Sequence, residues 1–226
     1  VFIVGCGMPL TTGIGTVDAM RVGPDTGGYW IERKGQLLRT GAMVGVRNSI
    51  RNSVVRGHMH RALWLNDPDC LMLRTKGTRL SPVQRRTQIN AIALTGGLLL
   101  YSDDFSELDR ETLVEISQIQ SIAGECFGGR LVPLDMMAHE LPRVVFNTAG
   151  YLGVFNMNRG RTTVHIDADH LMRQAAEVAT IWGLPFADNR RFAEVWNGHE
   201  IELNGEVVEV GPLGAYESLL FRQVAP

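Results

Sequence analysis

The sequence predicts an α/β fold in its first part, with parallel strands alternating with helices, and a small antiparallel β-domain after it. Three observations carry this. Short, nearly pure apolar runs recur between longer segments, as parallel strands covered on both faces require. The longer segments have helical spacing with start and stop signals. Beyond Leu131 the pattern changes to closely spaced β-prone pieces broken by turn residues. The alternation alone fits an α/β barrel or a doubly wound sheet.

The apolar runs are Val1–Cys6, Val17–Val22, Ala62–Asn66 and Leu98–Ser102. From Ala42, the apolar residues Met43, Val46, Ile50 and Val54 fall on one helical face. Ser81-Pro82-Val83-Gln84 is a strong helix start. Ser81 can cap, Pro82 suits the first turn, and Gln84 can reach back to complete a capping box. Gly96 and Gly97 end that helix. A further helix is predicted from about Asp109 to Ile122. The expected domains are residues 1–130 and 131–226. The second is read as sandwich-like, with strands at Val144–Asn147, Tyr151–Phe155, Thr162–Ile166, Ala193–Trp196, Glu200–Leu203, Val207–Val210 and Tyr216–Phe221. Asn204-Gly205 is a two-residue hairpin signal. His170–Trp182 reads equally as a helix or a long connection.

Composition narrows the class. The 226 residues are 45% hydrophobic and 20% charged, with a net charge of −2. That is ordinary globular composition, with no basic face for nucleic acid. No apolar run approaches the roughly 20 residues that span a bilayer. Cys6, Cys70 and Cys126 are odd in number and widely spaced. They read as reduced thiols of a cytoplasmic protein rather than a disulfide framework or a zinc site. Val1 opens directly on an apolar run with no basic lead-in, so the expectation is a truncated chain rather than a signal peptide.

Polar residues gather where the apolar runs end: Gly5–Pro9, Arg21–Asp25, Asn66–Asp69 and Ser102–Asp104. In a barrel those ends carry the chemistry. Carboxylates clustered there suit hard-cation binding or glycoside cleavage between two carboxyl groups. The plainer alternative is that each Asp caps a helix or organises a turn. His58 and His60 point to different faces of a helix, so they favour a helix C-terminus over a shared metal.

Three blocks, in order, resemble the α-galactosidases of glycoside hydrolase family 36. They are Gly5-Cys6-Gly7-Met8-Pro9 with Val17–Asp25 and Trp30, then Trp64–Leu71, then Gly96–Asp104. The segments ending Glu194-Val195-Trp196 and Tyr216–Phe221 are similar to that family's terminal β-domain, more weakly. The resemblance covers about the first 110 residues closely. It implies the second half of a (β/α)8 TIM barrel, strands five to eight, and a retaining mechanism. It places the general acid/base at Asp25, within Arg-x-x-x-Asp, with Arg21 as partner. It implies that Cys6 contacts the sugar. The family's nucleophile lies in a Lys-x-Asp motif, and neither Lys34 nor Lys76 is followed by Asp two residues on. The second carboxylate is therefore expected from the missing N-terminal half of the barrel. No cofactor is implied. The partners expected are an α-galactoside oligosaccharide, that missing half, and a second copy of the chain. Galactosyl transfer and a non-catalytic sugar-binding or structural role are the alternatives.

The residues support parts of this independently. Gly23 and Pro24 form a stiff turn that fixes where Asp25 points. Arg21 is expected to meet a sugar hydroxyl and to orient Asp25. Trp30 is a candidate to stack on a sugar face, or else ordinary packing. Asn66, Asp67 and Asp69 are expected to form a network at the strand end, and Asp103 and Asp104 either that or the cap of the final helix.

Overall fold

The computed structural model describes residues 1–31 and 44–224. Strands β1 (Val4–Gly5), β2 (Ala19–Arg21) and β3 (Leu65–Asp67) pair in parallel in that order. Strand β4 (Cys70–Leu71) continues the line of β3 after a break at Pro68-Asp69 and pairs in parallel with β5 (Leu100–Tyr101). Asp69 sits in the break with φ 73°. The apolar runs thus become parallel segments in sequence order, shorter than the runs themselves. Among the described residues β1 pairs only with β2, and β5 only with β4.

Helix α1 (Val46–Val55) buries Val46, Ile50 and Val54, the face the spacing predicts. Met43 lies outside the described residues. Helix α2 (Pro82–Thr95) begins with the expected capping box. The Gln84 N–H donates to Ser81 Oγ at 3.2 Å, and the Ser81 N–H donates to Gln84 Oε1 at 2.9 Å. It stops at Gly96, whose φ of 63° an L side chain resists. Helix α3 (Arg110–Phe127) is capped by Asp109, which accepts from the Thr112 N–H at 2.7 Å. The cap is not Asp104, which closes a short turn of its own by accepting from the Ser106 N–H. Nor is it Asp103, which accepts from the backbone of Leu73 and Arg74.

The rest is built on one antiparallel sheet. Strands β6 (Leu131–Pro133), β7 (Val144–Asn147) and β8 (Tyr151–Phe155) form a meander at its edge. Strand β9 (Thr162–Asp167) leaves the sheet and leads into helix α4 (Ala168–Ile181). Strands β10 (Arg191–Glu194), β11 (Glu200–Glu202), β12 (Val207–Leu213) and β13 (Ser218–Gln223) follow. The large sheet has the order β11-β10-β13-β8-β7-β6, and β9 pairs separately with β12. The ambiguous stretch at His170 is helical, with Asp167 accepting from the His170 N–H at 2.8 Å.

The sheet is covered on both faces. Val145, Tyr151, Phe155 and Leu220 join a core with Ile89, Leu94 and Ile119 of α2 and α3. Phe146, Leu152, Val154 and Phe221 point the other way, onto Val164, Ile166, Leu171 and Met172. Period-two alternation of the strand sends neighbours to opposite cores, so these strands read as unbroken apolar runs. Gly153 lets α2 come close, because a Cβ there would stand 2.6 Å from Leu94 Cδ2. Among the described residues no helix is long and apolar enough to cross a membrane.

Candidate active site at the strand ends

Arg21 closes β2 and gathers three carboxylates. Its Nε donates to Asp67 Oδ2 at 3.0 Å, Nη2 faces Asp69 Oδ1 at 3.0 Å, and Nη1 faces Asp25 Oδ1 at 3.3 Å. Burial works against the Arg21 charge, but the bond to Asp67 and the charges of Asp67 and Asp69 outweigh it and hold the guanidinium above its ordinary pKa. The three partners differ in exposure. The side chains of Asp67 and Asp69 are 2% and 9% exposed, whereas that of Asp25 is 77% exposed. A buried carboxylate stripped of its cation costs about 3–5 kcal/mol, so Asp67 and Asp69 are committed to Arg21. Only Asp25 presents its oxygens to solvent. Among the described residues, no group of three or more His, Cys, Asp or Glu side chains is placed to hold a metal ion.

The turn that carries Asp25 is pinned along its length. The Val22 N–H donates to Asp67 O at 3.0 Å, and Arg56 donates to Val22 O. Gly23 lies against Ser49 and Asn52, and a Cβ there would stand 3.4 Å from Asn52 Cβ. The Asp25 carbonyl accepts from the Gly45 N–H at 3.1 Å, at the start of α1. The Thr26 N–H donates to Asp69 Oδ2 at 2.6 Å. Asp69 in turn donates its own N–H to Asp67 Oδ1 at 2.8 Å. Its left-handed backbone costs roughly 1 kcal/mol for an L residue, least for Asp and Asn.

The other expected site residues fall in different surroundings. Cys6 is exposed just past β1, the strand paired with the one that Arg21 closes. Trp30 is 6% exposed and packs on Tyr216 with ring centroids 5.1 Å apart. Its carbonyl accepts from the Arg47 N–H at 3.0 Å, so this residue ties the loop after Asp25 to α1. Cys70 also sits at this rim, although its sequence context gave it no site role. Burial, then its hydrogen bond to Asp69, raises its thiol to about 11. The signal for it was position alone, beside the Asp67-Pro68-Asp69 break.

His58 and His60 part company. His58 Nδ1 lies 3.1 Å from Val55 O at the end of α1, as a helix C-terminus favours. His60 is buried and its Nδ1 accepts from the Asn66 N–H at 3.1 Å, anchoring β3. Burial, with Arg130 and Arg61 nearby, lowers its pKa to about 4. It is therefore a neutral strut rather than a cation.

The fold has counterparts. A family 27 β-L-arabinopyranosidase of Geobacillus stearothermophilus, solved with arabinose, is similar at a TM-score of 0.66 and 14% identity, over 100% of this chain and 50% of that one. α-Galactosidase I of Mortierella vinacea is similar at 0.58 and 14% identity, over 91% of this chain and 52% of that one. The isomalto-dextranase of Arthrobacter globiformis T6, solved with panose, is similar at 0.58 and 14% identity, over 93% of this chain and 35% of that one. No protein-family model matches the chain. At these identities the likeness is one of fold: the chain has a mixed α/β fold with a large antiparallel sheet, shared with part of several glycosidases, α-galactosidases among them, and it spans about half of their length or less.

Proposed function

We propose that this chain is the acid/base-bearing part of a retaining glycoside hydrolase that removes terminal α-galactosyl groups. In this reading β1, β2, the broken pair β3 and β4, and β5 are the fifth to eighth strands of a (β/α)8 barrel, and residues 131–226 are its terminal β-domain. The observation that carries the reading is the contrast at Arg21: two carboxylates are buried and engaged, while Asp25 is exposed on a pinned turn at the strand ends. That is how a proton donor is presented to a substrate entering from the open side.

The mechanism is a double displacement. A second carboxylate, supplied from outside the described strands about 5 Å from Asp25, attacks the anomeric carbon. Asp25 gives its proton to the departing oxygen, and the glycosyl-enzyme forms. Water then enters, Asp25 takes a proton from it, and the sugar leaves with its configuration retained. Arg21 keeps Asp25 aimed at the glycosidic oxygen. Cys6, exposed on the neighbouring strand end, meets the sugar ring. Trp30 contributes by bracing the wall of the site through Tyr216 and α1. The free cysteines support a cytoplasmic location.

The test is an assay on aryl and natural α-galactosides, with the chain alone and with the segment that supplies the second carboxylate. Activity is expected only in combination. Asp25→Ala is expected to lower turnover about 10²- to 10⁴-fold on substrates with poor leaving groups. Azide is expected to restore part of the rate on an activated aryl galactoside. Full activity of that variant on a natural α-galactoside would reject the assignment.

A further inference from the structure

We propose that Asp69 is a positioning residue for Asp25, acting through Arg21 and through the backbone of Thr26; the inference rests on the reading of Asp25 as acid/base. The carboxylate of Asp69, which also hydrogen-bonds the Cys70 thiol, makes two contacts that bear on Asp25. Oδ1 holds Arg21 Nη2 at 3.0 Å, and Oδ2 accepts from the Thr26 N–H at 2.6 Å. Arg21 is the side-chain partner of Asp25, and Thr26 is its backbone neighbour. One buried group therefore grips Asp25 from both directions.

Asp25 depends on that grip. Among the described residues its carboxylate has one charged partner, Arg21 Nη1 at 3.3 Å, and its side chain is 77% exposed. The direction of Nη1 follows from where Nε and Nη2 are tied, because a guanidinium is planar and rigid. Asp67 fixes Nε at 3.0 Å and fixes the Asp69 backbone by accepting its N–H at 2.8 Å. The chain of contacts runs from Asp67 to Asp69, then to Arg21 and Thr26, and ends at Asp25. The break between β3 and β4, with Asp69 at φ 73°, sets the Asp69 carboxylate against the turn leaving β2.

Asp69→Asn isolates this role. Asn tolerates the left-handed backbone as Asp does. Its amide has one acceptor in place of two, so a donor must face either Arg21 Nη2 or the Thr26 N–H, and one contact is lost. The experiment is a double-mutant cycle in the active enzyme, comparing wild type, Asp25→Ala, Asp69→Asn and the pair on galactosides with good and poor leaving groups. Asp69→Asn is expected to lower kcat/KM about 10- to 100-fold on the poor leaving group, the scale set by misplacing a catalytic group by an ångström. It is expected to change the activated substrate little, and to cost nothing further once Asp25 is alanine. An equal loss in both backgrounds, or on both substrates, would overturn the proposal, because Asp69 would then serve only the fold or the sugar. Full activity of Asp25→Ala would overturn the acid/base reading itself, and this inference with it. Should Asp69→Asn not fold, Asp69→Gly takes its place in the same cycle, because Gly adopts this φ freely and lacks the carboxylate altogether.

Discussion

The side-chain amide of Asn147 donates to the carbonyl oxygen of Leu94 across 2.8 Å, in the last turn of α2. The same amide reaches Cys126 O at 3.1 Å, in the last turn of α3. Carbonyls at a helix C-terminus lack partners within the helix, and one buried residue of β7 serves both. Asn147→Ala is expected to destabilise the protein by about 2–4 kcal/mol, from lost bonds and a stranded buried acceptor. Urea unfolding measures it, and a change within about 0.5 kcal/mol, typical of a neutral surface site, would contradict it.

His60 predicts an acid limit. Its pKa is about 4 in the folded protein and 6.5 as the ordinary value, so below pH 6.5 the unfolded chain binds a proton that the folded one refuses. Stability should fall as pH drops from about 6.5 towards 4 and then level off for this group, by at most roughly 3 kcal/mol. Urea midpoints across that range should show the slope, and His60→Gln should flatten it. A slope unchanged in His60→Gln assigns it to other groups.

The end of α2 can be probed with a matched pair of glycines. Gly96 has φ 63°, and a Cβ there would lie 2.5 Å from Cys126 O. Gly15 has φ 72° with nothing within 4 Å of the same position. Gly15→Ala should therefore show only the left-handed backbone cost, about 1–2 kcal/mol. Gly96→Ala should lose more, because backbone must shift as well. Equal thermal shifts would mean that α2 and α3 give way freely there.

The uncovered edge of β1 predicts association. Phe2, Ile3 and Val4 are 58%, 48% and 45% exposed, and β1 pairs only with β2 among the described residues. An exposed apolar edge recruits another strand. The isolated chain is expected to self-associate at micromolar concentration, and Val4→Lys to reduce this in sedimentation velocity. A monomer with a well-dispersed NMR spectrum would contradict the expectation.

The sequence was most readable where a local rule decides the structure. Ser81, Pro82 and Gln84 announce α2 because capping is a matter of a few adjacent residues. Val144–Asn147 and Tyr151–Phe155 stood out as strands with the bounds they have. Helix α4 was harder, because its cap, Asp167, is also the last residue of β9, and no loop separates the two. The carboxylates at the strand ends were legible as a group, but their ranking by exposure was not. That depends on Arg21 reaching across 46 and 48 positions of sequence to Asp67 and Asp69. Likewise nothing local distinguished His60 from His58; Asn66, Arg61 and Arg130 do so in three dimensions.

Because the central sheet is the shared wall of two cores, the helices α2 and α3 and the sheet depend on each other for cover. Stripping away everything after Gly129 would leave Leu94 and Ile119 wet, and removing the helices would do the same to Tyr151 and Phe155. The chain should therefore melt in one cooperative step, and a protease nick at the Gly128-Gly129 link should leave both pieces clasped together.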